Sequence, residues 1–157
     1  MNGAMGMIEA RLIELGVVLP KPPVPGGNYL NYRKVGSMVY LPGVICSING
    51  EVSHKGQLGV EFVIPQGYEA ARICALNLLA NLKEAVGDLD QVKQIVTVNG
   101  YVNCVSGFTD SPAVINGASD LLVQIFGDAG RHVRAAVGVA GLPRGAAVEV
   151  QMTAEIH

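Results

Sequence analysis

The chain reads as an α+β fold, one mostly antiparallel sheet with two helices on one face. Three observations carry this reading. The extended and helical patterns run strands, helix, strand, helix, two strands, so hairpins outweigh strand–helix alternation. The turns between extended stretches are short, and Asn49-Gly50 is the strongest hairpin signal, because both residues tolerate the positive φ of a type I′ turn. No Gly-rich fingerprint joins a strand to a helix, which argues against a doubly wound dinucleotide-binding sheet.

The elements follow in order. Residues 8–15 form a short helix closed by Gly16. Residues 20–27 hold Pro20, Pro22, Pro23, Pro25 and Gly26-Gly27, an extended connector that then turns. Residues 1–27 are therefore an N-terminal extension and linker, and 28–157 the domain proper. Residues 29–33 and 38–41 are strands about a turn at Val35-Gly36, and Pro42-Gly43 then marks an edge, a bulge or a strand end. Residues 67–86 are helical, with Ala71, Cys74, Ala75, Leu78, Leu82 and Ala85 on one face, Asn81 mostly outside it and Gly87 as the stop. Residues 92–103 alternate as a half-buried strand, with Val92, Val96, Val98 and Val102 on one side. Asp110-Ser111-Pro112 opens a second helix with a capping side chain, and Gly127 ends it. Residues 133–140 and 147–156 are the last strands, about a Leu142-Pro143-Arg144-Gly145 turn.

The bulk numbers narrow the function. A chain of 157 residues, half apolar and 15% charged, suits one domain with a full core. No apolar run is long enough to span a membrane, and the start lacks a signal peptide. The opening Met-Asn-Gly-Ala-Met-Gly is compatible with an expression remnant before a natural start at Met7. A net charge of −2, with no Lys/Arg cluster beyond Arg33-Lys34, argues against nucleic-acid binding. Cys46, Cys74 and Cys104 are odd in number and widely spaced, so neither a disulfide scaffold nor a zinc site is expected, and the cytoplasm is the simplest home. His54, His132 and His157 share no metal-ligand spacing and read as surface residues. The Gly-rich, weakly charged surface implies association with further copies.

Chemistry concentrates at the C-terminal end. If Val137, Val139, Val148 and Val150 face the helices, Arg134 and Glu149 lie together on the opposite face. There Arg134 would be a charged fork among the small Ala136, Gly138 and Ala140, suited to a carboxylate, with Glu149 placed to order water or move a proton. A structural Arg–Glu ion pair is the competing reading and, on pattern alone, the favoured one.

The run from Arg134 to Glu149, an arginine, a strand, a Leu-Pro turn and a glutamate in a final strand, resembles the C-terminal signature of the RidA/YjgF family. The stretch Gly36-Ser-Met-Val-Tyr-Leu-Pro-Gly43, the Asn49-Gly50-Glu51 turn, helix residues Asn77 to Leu82, Phe108 and Asn116 are similar to it as well. The resemblance covers roughly residues 28 to 157 and points to a divergent subfamily. It implies a chorismate-mutase-like α+β sandwich, a homotrimer with clefts between subunits, and cofactor-free hydrolysis of reactive 2-imino and enamine acids to 2-keto acids and ammonia.

Carried over by position, Arg134 clamps the substrate carboxylate and Glu149 orders the attacking water. Tyr29 lines the cleft from the neighbouring subunit, Gly43 lets backbone approach the ligand, and Asn116 is a helix asparagine near the site. The family's Ser-Gly-Gln is here Pro42-Gly43-Val44, and its cysteine two residues after the arginine is Ala136, so the pocket is expected to be more apolar or roomier. That departure keeps open a second reading, a non-catalytic module that binds small carboxylates. RNA cleavage ranks last, given the acidic balance and the lack of an aromatic platform.

Overall fold

A computed structural model describes residues 6–157, so residues 1–5 of the N-terminal hexapeptide lie outside the described residues. In chain order the elements are α1 (Met7–Leu15), β1 (Arg33–Val35), β2 (Met38–Tyr40), β3 (Val44–Ile45), β4 (Ser47–Ile48), β5 (Glu51–Val52), α2 (Ile64–Val86), β6 (Val92–Asn103), α3 (Ser111–Phe126), β7 (Val133–Val139) and β8 (Val148–Ile156). The main sheet runs β1-β2-β8-β6-β7, with β3 also paired to β8, and β4-β5 is a separate hairpin. All pairs are antiparallel except β6 with β7. The mostly antiparallel α+β expectation therefore holds, with α1 as a third helix.

Local chemistry explains most of the boundaries. Pro65 stands in the first turn of α2, where its missing N–H costs nothing, and the Gln66 side chain accepts from Val63 N at 3.0 Å. Gly87 ends that helix at φ 79°, and Gly16 ends α1 at φ 68°. Asn49 (φ 52°) and Gly50 (φ 81°) supply the expected hairpin turn between β4 and β5. The two long helices cross so closely that a Cβ on Gly117 would lie 1.9 Å from the Tyr68 carbonyl oxygen. The core fills the space between these helices and the sheet, with Leu78, Leu79, Leu82, Ile115, Leu121 and Leu122 facing Ile95, Val98, Met152 and Ala154. Helix α1 docks on the same core through Leu12 and is tied down where Met7 N and Ile8 N donate to the Asp90 carboxylate at 2.9 and 2.8 Å.

Several expectations need correction. Residues 29–32 are not a strand; β1 starts at Arg33, and its turn falls on Gly36 at φ 58°. The Asp110 side chain makes no capping bond to α3. In β6, register shifts between Val92 and Gln94 and between Ile95 and Thr97 bring Ile95 rather than Val96 to the core. Asn81 is fully buried, and among the described residues neither of its side-chain polar atoms has a partner. His54 and His132 are half-buried rather than surface residues.

The largest correction concerns the last two strands. They are not a hairpin, because β6 lies between β7 and β8. Register sets Arg134 beside Val98 and Ala136 beside Gly100, and a Cβ on Gly100 would meet Ile115 of α3 at 2.5 Å. Arg134, Ala136 and Gly138 therefore lie on the helix side. Val133 and Val137 point outward and are 70% and 46% exposed. Counting valines inward failed because the helix side of this edge has little room: a Cβ on Gly138 would sit 2.6 Å from Sγ of Cys104, the residue just after β6. Among the described residues no helix is long and apolar enough to cross a membrane.

Candidate functional site

Strand β8 places Glu149 opposite Tyr101 of β6 and Ile45 of β3, on the sheet face away from the helices. There it opens onto a cavity of about 580 Å³. The Pro20–Pro25 connector, Tyr29, Pro42-Gly43 and Val44 form walls, Ile45, Ser47 and Asn77 also line it, and Arg144 stands in the Pro143–Gly145 turn. The connector is held in place by Gly26 N donating to Tyr29 Oη at 2.9 Å and Asn31 Nδ2 donating to Pro23 O at 2.9 Å. A segment read as a linker thus builds one wall.

Glu149 is half-buried, and no cation pairs with it among the described residues. Burial alone pushes its carboxyl above the usual carboxylate range. Gly43 leaves room for it, since a Cβ there would lie 2.9 Å from Glu149 Oε2. Asn77 is 97% buried, its exposure being 3%, and its Nδ2 donates to Ser47 O at 2.9 Å and Ile45 O at 3.3 Å. It fixes the short β3–β4 segment to α2, and with it one side of the cavity.

Arg134 is elsewhere. Its Nη1 donates to Ser119 Oγ and its Nη2 to Pro112 O, both at 3.0 Å, so within one chain it ties β7 to α3 and makes no ion pair with Glu149. His132 completes this cluster. Its Nδ1 lies 2.8 Å from Gly130 O, a pure acceptor, so Nδ1 carries the proton; Nε2 then accepts from Ser119 Oγ, also at 2.8 Å. Burial lowers the His132 pKa, the Gly130 contact partly opposes this, and the Arg134 charge adds to the lowering. Asn116 is exposed on the same helix.

The five residues marked by sequence therefore fall into two sets. Tyr29, Gly43 and Glu149 line the cavity, whereas Arg134 does not and Asn116 lies with α3. The sequence alone does not single out Lys21 and Arg144, the cations among the described residues that line the cavity. The signal was present in Pro143-Arg144-Gly145, where a bulky charged residue sits in a turn that demands unusual backbone, φ 58° at Arg144. All three cysteines are buried, as expected of small core fillers.

Comparison with known proteins gives a consistent answer. A family model described as "YjgF/chorismate mutase-like, putative endoribonuclease" matches residues 9–156, α1 included apart from its first two residues. Protein TCP17 of Trypanosoma cruzi is 42% identical over 155 residues, covering 98% of this chain and 97% of that protein. The crystal structure of Atu1372 from Agrobacterium tumefaciens, a protein of unknown function, is 38% identical with a TM-score of 0.89, over 96% of this chain and 92% of that one. RidA from the Antarctic bacterium Psychrobacter sp. PAMC 21119 is further away, at 29% identity and a TM-score of 0.60 over 87% and 94%.

Proposed function

Because the chain belongs to the YjgF/chorismate mutase-like family, we propose that it hydrolyses reactive 2-imino and enamine acids to 2-keto acids and ammonia, with Glu149 moving the proton. The observation that carries this is Glu149 itself: half-buried, unpaired, raised by burial and open to a cavity beside a glycine. A carboxylate tuned upward exchanges protons near neutral pH better than an ordinary surface glutamate. As the carboxylate, Glu149 takes a proton from water while the oxygen attacks the C=N carbon. The Glu149 carboxyl hands that proton to the nitrogen, and the carbinolamine then passes its hydroxyl proton to the nitrogen by way of the same carboxylate as the C–N bond breaks, leaving the ketone and ammonia; an enamine enters as the imine after taking a proton on carbon and losing one from nitrogen.

The substrate carboxylate is assigned to Arg134 of a second copy. Within one chain Arg134 is on the other side of the sheet from Glu149, so both reach one ligand only across an interface. Association of copies, a trimer by the family resemblance, is supported by the exposed Val133 and Val137 on the outer face. Tyr29 and Gly43 then belong to the chain that supplies Glu149, and Asn116 to the chain that supplies Arg134. The guanidinium fork suits bidentate carboxylate binding. The three buried free thiols suit a reducing cytoplasm.

The test is to generate 2-iminopropanoate with a dehydratase and follow its loss. Glu149→Gln is expected to lose about 100-fold or more of the rate, the usual weight of general acid–base catalysis. Wild-type turnover no faster than buffer sinks the reading. A non-catalytic carboxylate-binding module is the second reading, favoured by the apolar Pro42, Val44 and Ala136; tight binding of 2-keto acids without turnover would select it.

A further inference from the structure

We propose that the cavity contains a second anion subsite, formed by Arg144 and Lys21, which selects ligands carrying a carboxylate at the end away from the reacting carbon. The inference rests on the reading of this cavity as a 2-imino and 2-keto acid site, and names the substrate class within it.

Three features of the cavity lead to this. The first is charge. Its ionisable carboxylate and cationic lining is Glu149 against Lys21 and Arg144, and among the described residues neither cation has an acidic partner. The second is geometry. Arg144 has φ 58°, a conformation that side-chain-bearing residues rarely keep without a compensating contact. Its Nη2 donates to Gly50 O at 2.9 Å, which pins the Pro143–Gly145 turn to the tip of the β4–β5 hairpin. The remaining N–H groups of the guanidinium are free for a ligand, and that fork matches a carboxylate. The third is size. The cavity that one chain presents has about 580 Å³ before a second copy adds Arg134, and its lining runs from Glu149 to Arg144 in the Pro143–Gly145 turn, so a ligand longer than a three-carbon imino acid is needed to engage both. A five-carbon diacid puts one carboxylate on the clamp near Glu149 and the other toward Arg144.

The experiment compares 2-oxoglutarate with 2-oxopentanoate, which has the same chain length and lacks the second carboxylate. Calorimetry on the wild type at low salt is expected to show the diacid bound about five- to ten-fold more tightly, with the difference shrinking at high salt. Arg144→Asn removes the charge with a residue at ease at positive φ. It is expected to abolish the preference; any loss through the missing Gly50 contact falls on both acids alike, so the ratio of the two affinities is the readout. Lys21→Ala is expected to reduce it in part. Equal binding of the two acids by the wild type overturns the subsite while leaving the cavity's keto-acid reading intact. A preference that survives Arg144→Asn together with Lys21→Ala also overturns it. Failure of both acids to bind overturns the subsite and the reading of the cavity together.

Discussion

Gly43 faces Glu149 so closely that a methyl group on it would sit 2.9 Å from Oε2. The backbone of Gly43 is not at positive φ, so alanine is permitted there, and the clash falls on the flexible end of a side chain. Gly43→Ala should therefore fold normally, displace the carboxylate and slow imine hydrolysis about 10- to 100-fold. A melting curve beside the rate checks both halves: wild-type rates would mean that Glu149 does not act from this position.

The acid side of the rate profile should belong to Glu149. A general base works only when charged, and burial holds this carboxyl above the ordinary range. The rate should fall with decreasing pH at a midpoint above that of a free glutamate, and Glu149→Gln should flatten this limb. Stability runs the other way: the folded state holds this proton more firmly than the unfolded one, so the contribution is complete below the unfolded pKa and is lost as pH rises through the folded value. Glu149→Gln is accordingly expected to melt higher than the wild type at neutral pH.

If Arg134 and Glu149 meet only between copies, two inactive variants should rescue each other. Mixing unfolded Arg134→Ala and Glu149→Gln chains and refolding them together should restore about a quarter of the sites, those that receive both native residues from different chains. No recovery in a mixed oligomer confirmed by mass would rule out the shared site.

Histidine 132 should make the α3–β7 contact sensitive to acid. Its imidazole is held neutral in the fold by burial, with the Arg134 charge assisting. The unfolded chain takes up this proton first as pH falls, so stability is complete above the ordinary histidine value and declines as pH drops through the folded value. Urea midpoints should fall between about pH 8 and about pH 5, and His132→Gln should make that fall shallower. An unchanged slope would show that His132 is not the sensor.

The helix crossing should be intolerant of a single methyl group. Gly117→Ala drives a Cβ into the Tyr68 carbonyl at 1.9 Å and should cost about 3 kcal/mol or more. Gly141→Ala has nothing within 4 Å and serves as the neutral control. Comparable melting temperatures for the two would contradict the packing.

What sequence revealed follows the range of the forces involved. Helix α2, helix α3, strand β6 and the Asn49-Gly50 turn are set by local periodicity and backbone preference, and all were legible. Glu149 belongs to the C-terminal run that resembles the family signature, Gly43 and Tyr29 to the wider resemblance, and the three line one cavity. The face of Arg134 was not, because it depends on which strand lies beside β7, and pairing with β6 rather than β8 is a long-range choice. Arg144 and Lys21 are not legible for a related reason: they come to line one cavity only when the proline-rich connector and the Pro143–Gly145 turn, far apart in sequence, pack around it. Asn81 lies inside the buried part of α2 without a partner, and no feature of the structure explains it.

Strand β8 pairs with β2, β3 and β6, yet it follows all three in sequence. During synthesis the earlier strands leave the ribosome with their shared partner still missing, and their edges stay open to other chains. The sheet, and with it the ledge that carries Glu149, is completed only once β8 itself has emerged. A nascent chain stalled before Val148 should therefore be degraded readily and prone to aggregate. Deletion of β8 should abolish the whole fold rather than fray one edge.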